Sequence, residues 1–186
     1  MKPVIALHGP CGSGKSFLAE TINKTILLKE EVAFLNIKDM FLHLAKHLAL
    51  DFDNMGYPLS EADMKHLCLL IGKFGEERLH KDIWTTQWVN KVSQLGDVWV
   101  INDGIRTEMN LEGLIKIAKA GRPVIFFKLN ASESVRRARL GPKYRENDVF
   151  TSLEKSAHKL PPQFNWVELH EDWNISDIKG IFEEYL

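Results

Sequence analysis

The sequence predicts an α/β fold, a doubly wound, mostly parallel sheet of five strands flanked by helices. Three observations predict it. Apolar runs of strand length alternate with stretches of helical period along the whole chain. The runs are continuously apolar, as strands covered on both faces are. No repeat, low-complexity tract or long linker divides the 186 residues, a length that one domain accommodates.

The strands are expected at Val4–Leu7, Val32–Ile37, Val98–Ile101, Val124–Phe127 and Trp166–Leu169. The first leads into Gly9-Pro10-Cys11-Gly12-Ser13-Gly14-Lys15-Ser16, which fits the P-loop pattern G-x-x-x-x-G-K-[ST]. A helix follows, with Phe17, Leu18, Ile22 and Ile26 as its expected buried face. Strand, loop and helix are the context the pattern needs. The glycines let backbone N–H groups converge on one anion at a helix N-terminus. Gly9, Cys11, Gly12, Ser13, Gly14, Lys15 and Ser16 are therefore the expected contacts of a nucleotide triphosphate, taken as ATP. Lys15 is expected at the outer phosphates and the Ser16 hydroxyl on Mg²⁺.

After the second strand come Lys38 and Asp39, then a helix with Phe41, Leu44, Ala45 and Leu48 on one side. Ligands in open α/β sheets bind at the carboxyl ends of strands. Lys38 thus reads either as a cleft cation or as a surface lysine beside an Asp N-cap. Residues 39 to 95 hold more helix than a crossover requires. One helix is expected from Ser60, where Ser-Glu-Ala-Asp forms a capping box ahead of Leu67, Leu69, Leu70 and Ile71. Another carries Trp84, Trp88 and Val92 at i, i+4 and i+8. This insertion is read as a helical flap where a second substrate sits. Arg78 can bind phosphate there; Trp84 is read as a stacking surface or, more simply, as core.

The third strand runs into Asn102-Asp103, so Asp103 is expected just beyond it as the acidic partner of the metal-bound loop. Arg106 is a further phosphate-binding candidate. The next helix carries Leu111, Leu114, Ile115 and Ala118 inward. After the fourth strand, Arg136, Arg137, Arg139 and Arg145 fall within ten residues on a short helix entering a Gly-Pro loop. That segment, 136–151, reads as a lid closing arginines over a transferring phosphoryl group. In the last helix, Asn174 and Asp177 form the cap ahead of Ile178, Ile181, Phe182 and Tyr185. The division is thus a single domain, with core 1–38 and 96–186, insertion 39–95 and lid 136–151.

Composition agrees: 45% hydrophobic, 26% charged and a formal net charge of −1 give no global attraction to polyanions. Cys11 and Cys68 have no partners at ligand or disulfide spacing. The N-terminal apolar run stops at His8, too short for a signal segment, and no 18-residue apolar stretch follows. A cytoplasmic location is expected, with no membrane partner.

The chain resembles nucleoside monophosphate kinases, and more closely the bacteriophage deoxynucleoside monophosphate kinase family. The resemblance rests on the P-loop, the Lys38-Asp39 junction, Gly75-Glu76-Glu77-Arg78 with Asp82-Ile83-Trp84, the strand ending in Asp103, and Asn174-Ile175-Ser176-Asp177-Ile178. It implies transfer of the ATP γ-phosphoryl group to a deoxynucleoside 5′-monophosphate, in the host cytoplasm if the source is a phage. By the same resemblance Lys38, Asp39, Arg78, Trp84, Asp103 and Arg106 surround the acceptor, Arg136 and Arg139 act on the phosphoryl group, and Arg137 contacts ATP. Small nucleotides are the expected partners, with nucleic acid disfavoured and a homodimer left open. The family's Asp-x-Arg is Asp103-Gly104-Ile105-Arg106 here, one residue longer. Competing readings are a P-loop kinase of a metabolite or nucleic-acid hydroxyl, or an ATPase or GTPase switch. The Asn-Lys-x-Asp guanine motif does not occur.

Overall fold

The computed structural model describes residues 1–144 and 160–186. Residues 145–151 of the expected lid, Arg145 included, lie outside the described residues. Five parallel strands form one sheet in the order β2-β3-β1-β4-β5. They are β1 (Val4–His8), β2 (Val32–Phe34), β3 (Trp99–Ile105), β4 (Val124–Leu129) and β5 (Phe164–Leu169). The helices are α1 (Lys15–Thr21), α2 (Lys38–Asn54), α3 (Glu61–Phe74), α4 (Ile83–Gln94), α5 (Glu108–Lys119), α6 (Glu133–Leu140) and α7 (Ile175–Phe182).

The central strand is β1, and its side chains alternate between two cores. Val4 and Ala6 pack toward α4 and α5, against Trp88, Leu111, Leu114 and Ala118. Ile5 and Leu7 pack toward α1 and α7, against Leu18, Ile22, Ile178 and Phe182. Both faces of the sheet are covered, so no strand shows a polar alternation. Each such fully buried side chain contributes about 1.5–3 kcal/mol. The caps expected at Ser60 and Asn174 are present as reciprocal capping boxes, and Thr107 forms a third with Asn110.

Four local expectations need correction. β2 ends at Phe34 rather than Ile37, because the chain turns into α2 and the Asn36 N–H donates to Asp39 Oδ2 at 2.8 Å. β3 runs on to Ile105, so Asp103 lies within the strand. Phe17 projects outward at 67% exposure, opposite Leu18 and Ile22. On α2 and α3, Ala45 is buried and Phe41 and Ile71 pack on the core, but Leu44, Leu48, Leu69 and Leu70 are exposed. The insertion forms only one buried seam, made chiefly by α4. No helix among the described residues is long and apolar enough to cross a membrane.

Candidate active site

β1 delivers the P-loop at the carboxyl edge of the sheet. A Cβ at Gly9 would stand 2.6 Å from Ser13 Oγ and 2.7 Å from the Leu129 carbonyl oxygen, so the loop folds tightly only without a side chain there. Gly14 ends the loop as the N-cap of α1 at φ 101°, a left-handed conformation that favours glycine. Lys15 Nζ donates to the carbonyl oxygens of Gly9 at 2.6 Å and Pro10 at 3.0 Å, which holds the ammonium over the loop. The Ser13 side chain is buried, and its hydroxyl has no hydrogen-bond partner among the described residues. A buried hydroxyl without a partner costs free energy, and a phosphate oxygen would satisfy it. The cradle therefore fits a polyphosphate.

Ser16 Oγ donates to Asp103 Oδ2 at 3.1 Å. Two oxygen donors so close suit neighbouring positions on Mg²⁺, which takes hard oxygen ligands, keeps several waters and shares the substrate's phosphates. Asp103 is aimed by an irregularity in the sheet. Ala6 pairs with Asn102 and His8 with Ile105, so β3 spends three residues where β1 spends two. Two amides fix this bulge: Asn36 Oδ1 accepts the Asp103 N–H at 2.9 Å, and Asn102 Oδ1 accepts the Gly104 N–H at 2.8 Å. Both asparagines escape a motif search, since each acts through one hydrogen bond to the backbone. Asp103→Asn keeps the shape but removes the negative charge of the donor pair, so the Mg²⁺ concentration for half-maximal activity should rise about tenfold. Titrating activity against Mg²⁺ checks this.

The strand before the loop is anchored by His8, which is buried and stacks on Phe126. Its Nδ1 faces the Ile105 carbonyl oxygen at 2.9 Å, an acceptor, so Nδ1 carries the proton. Burial holds the imidazole below its usual pKa, against the opposing pull of that hydrogen bond.

A cavity of about 800 Å³ opens from the P-loop toward the insertion. Lys15, Ser16, Asp103 and Arg139 line its phosphate end, and Phe41, Leu69, Trp84 and Met109 form an apolar wall at the other. Lys38 and Arg106 line it as well. Trp84 is a wall rather than an open stacking face: it is almost fully buried, its Nε1–H donates to the Gly72 carbonyl oxygen at 2.9 Å, and it meets Phe41 edge-on. Phe41, expected on one side of α2 with Leu44, Ala45 and Leu48, is half-exposed and lines the cavity, as does the more exposed Phe17.

Two expected acceptor residues lie elsewhere. Asp39 is used at the start of α2 and borders a different hollow. Arg78 is exposed in the wide helical turn Gly75–Leu79 and does not line the cavity. The turn brings Glu76 to the cavity in its place, and Lys81 follows. Loss of solvation, with the neighbouring Glu77 charge, holds the Glu76 carboxyl above the usual range. The periodicity of the turn hides this, because its i→i+5 hydrogen bonding shifts each side chain off the α-helical stripe.

The arginines of α6 divide. Arg136 Nε donates to the Cys11 carbonyl oxygen at 2.9 Å and Arg139 Nη1 to that of Gly12 at 3.1 Å, which sets both guanidiniums on the P-loop. Arg137 instead pairs with Glu133 at 2.7 Å and stacks 4.4 Å from the Tyr144 ring centre, a ring that Arg136 also approaches at 5.5 Å. Beside the loop a second hollow of about 710 Å³ lies at the carboxyl ends of β4 and β5, bordered by Pro10, Asn130, Ser132 and His170. Glu171 accepts the Ser132 N–H there at 2.7 Å, tying the end of β5 to the start of α6.

Compared by sequence, the chain matches no family model and no curated protein. Compared by structure, it is similar over 98% of its length to the Mycobacterium tuberculosis APS kinase in complex with AMPPNP and APS, at 14% identity, 96% coverage of that chain and a TM-score of 0.56. It is similar over 99% of its length to the Deinococcus radiodurans tunicamycin resistance protein, at 16% identity, 95% coverage and a TM-score of 0.51. The chain shares its fold with these two proteins. At these identities the likeness concerns the backbone, and the substrate has to be argued from the residues.

Proposed function

We propose that this chain is an ATP- and Mg²⁺-dependent kinase that phosphorylates a deoxynucleoside 5′-monophosphate, giving the diphosphate and ADP. The single observation that carries this reading is the continuity of one cavity from Lys15, Ser16 and Asp103 to an apolar, aromatic wall, with Lys38, Lys81 and Arg106 also in its lining. Cations near the phosphate end suit an anionic acceptor, and Phe41 offers a flat apolar face for a base. The second hollow, beside Pro10 and at the ends of β4 and β5, suits the base and sugar of ATP.

In that arrangement the P-loop N–H groups and Lys15 hold the β- and γ-phosphates. Ser16 and Asp103 would hold Mg²⁺, which would supply positive charge against the phosphates. Arg139, held on the P-loop by the Gly12 carbonyl oxygen and lining the cavity, would stabilise charge developing on the transferring group. The bond from the β–γ bridging oxygen to phosphorus breaks, and an acceptor phosphate oxygen forms the new bond. That oxygen is already anionic, so no strong general base is required. The main contribution of the chain is alignment and exclusion of water.

Kinetics of point variants test the acceptor assignment. Lys81→Ala should raise the acceptor KM about tenfold and leave the ATP KM within about twofold, whereas Arg78→Ala should change neither appreciably. Equal effects of Lys81→Ala on both KM values would remove it from the acceptor site.

A further inference from the structure

A second cation site can be read on α2, apart from the oxygen ligands of the P-loop. His43 and His47 stand one turn apart on the exposed side of this helix, with Nε2 atoms 3.0 Å from each other and ring planes at 86°. Two histidines at i and i+4 on one helix face present their imidazoles to a common point. Metal–imidazole bonds run about 2.0–2.1 Å, and two of them meeting near 95° span about 3.0 Å. A tetrahedral angle would need about 3.3–3.4 Å between the nitrogens. The 3.0 Å spacing is that of the hydrogen-bonded free pair, and it already lies within the span that two cis positions of a tetragonal or octahedral ion such as Cu²⁺ or Ni²⁺ require.

We infer that His43 and His47 form an open bis-imidazole site for a divalent transition-metal ion of the Ni²⁺ or Cu²⁺ class. In the free chain one Nε2 donates its proton to the other. On metal binding the donor ring carries that proton on Nδ1 instead, so both Nε2 lone pairs face the ion and no net proton is lost from the neutral pair. Among the described residues no group of three or more His, Cys, Asp or Glu side chains could hold a metal ion. The two imidazoles are thus the protein donors, and exchangeable waters complete the shell. Asp39 and Asp51 flank the pair one turn before and after, while Lys46 and Lys91 border the hollow beside His43. The ion is bound by coordination rather than by an acidic field. Mg²⁺, which demands hard oxygen ligands, is not expected here.

Calorimetric titration of the full chain with NiCl₂, in the presence of saturating Mg²⁺, tests the inference. The expected result is one saturable equivalent of Ni²⁺ and a rise in Tm, because the intact helix alone presents both ligands. His43→Asn and His47→Asn should each remove that equivalent. Both side chains are exposed, so circular dichroism should show an unchanged fold. His80→Asn, which alters the exposed His80 contact with Asp82, should keep it. No saturable binding to the wild type would overturn the inference. So would binding that survives both α2 variants or disappears in His80→Asn.

Discussion

Lys15→Ala lowers kcat by about 10²–10³-fold, equivalent to roughly 3–4 kcal/mol of transition-state stabilisation, while the circular dichroism spectrum and Tm stay close to wild type. The ammonium donates to the Gly9 and Pro10 carbonyl oxygens at the rim of the loop and is not part of the packed apolar core. Its removal leaves the P-loop backbone and Ser16–Asp103 in place, so ATP still binds, with charge on the outer phosphates less well neutralised. Lys15→Arg is not a rescue, since a planar fork cannot replace a compact point charge inside the loop. Steady-state kinetics with saturating ATP give the answer directly. Turnover near the wild-type value would remove the P-loop from catalysis.

The largest loss of stability is expected at Trp88. This side chain is fully buried, and its Nε1–H donates to the Leu35 carbonyl oxygen at 2.8 Å, joining α4 of the insertion to the chain just after β2. It shares one apolar cluster with Val4, Val100 and Phe126 of the sheet. Trp88→Ala opens a cavity there and leaves a buried carbonyl unpaired, at a cost of about 3–5 kcal/mol. In a chain of this size the Tm should fall by roughly 6–20 °C. Because the cluster is common to sheet and insertion, unfolding should remain one transition followed alike by far-UV dichroism and tryptophan fluorescence. Two separated transitions would show that residues 39–95 unfold on their own.

How far the sequence reveals this molecule depends on the range of the interactions involved. β1, α1 and the loop between them are legible because their signals are local: an apolar run, glycines at fixed spacing, then Lys15 and Ser16. The capping boxes at Ser60 and Asn174 are equally local. Asp103 was findable as an acid near the end of an apolar strand, but its aim depends on a bulge against β1 and on the Asn36 amide 67 residues away. Arg78 lies outside the cavity because the wide turn brings Glu76 to it instead, with Lys81 following just after the turn. The arginines of α6 share one composition signal, yet helical geometry sends Arg136 and Arg139 to the loop and Arg137 to Glu133 and Tyr144. Exposed Leu69 and Leu70 fit a helical apolar stripe as well as buried residues do, since periodicity does not say what covers a face.

The central claim is that one cavity joins a nucleotide donor to an anionic nucleotide acceptor. It is tested most directly by ADP formation in a coupled assay with Mg-ATP and, in turn, each of the four deoxynucleoside monophosphates, the ribonucleotides and a 5′-hydroxyl DNA duplex. The account predicts little ADP with ATP alone and a large increase with at least one deoxynucleoside monophosphate, accompanied by the matching diphosphate. Release of ADP at the same rate with no acceptor present would contradict it, as would an increase confined to the DNA duplex.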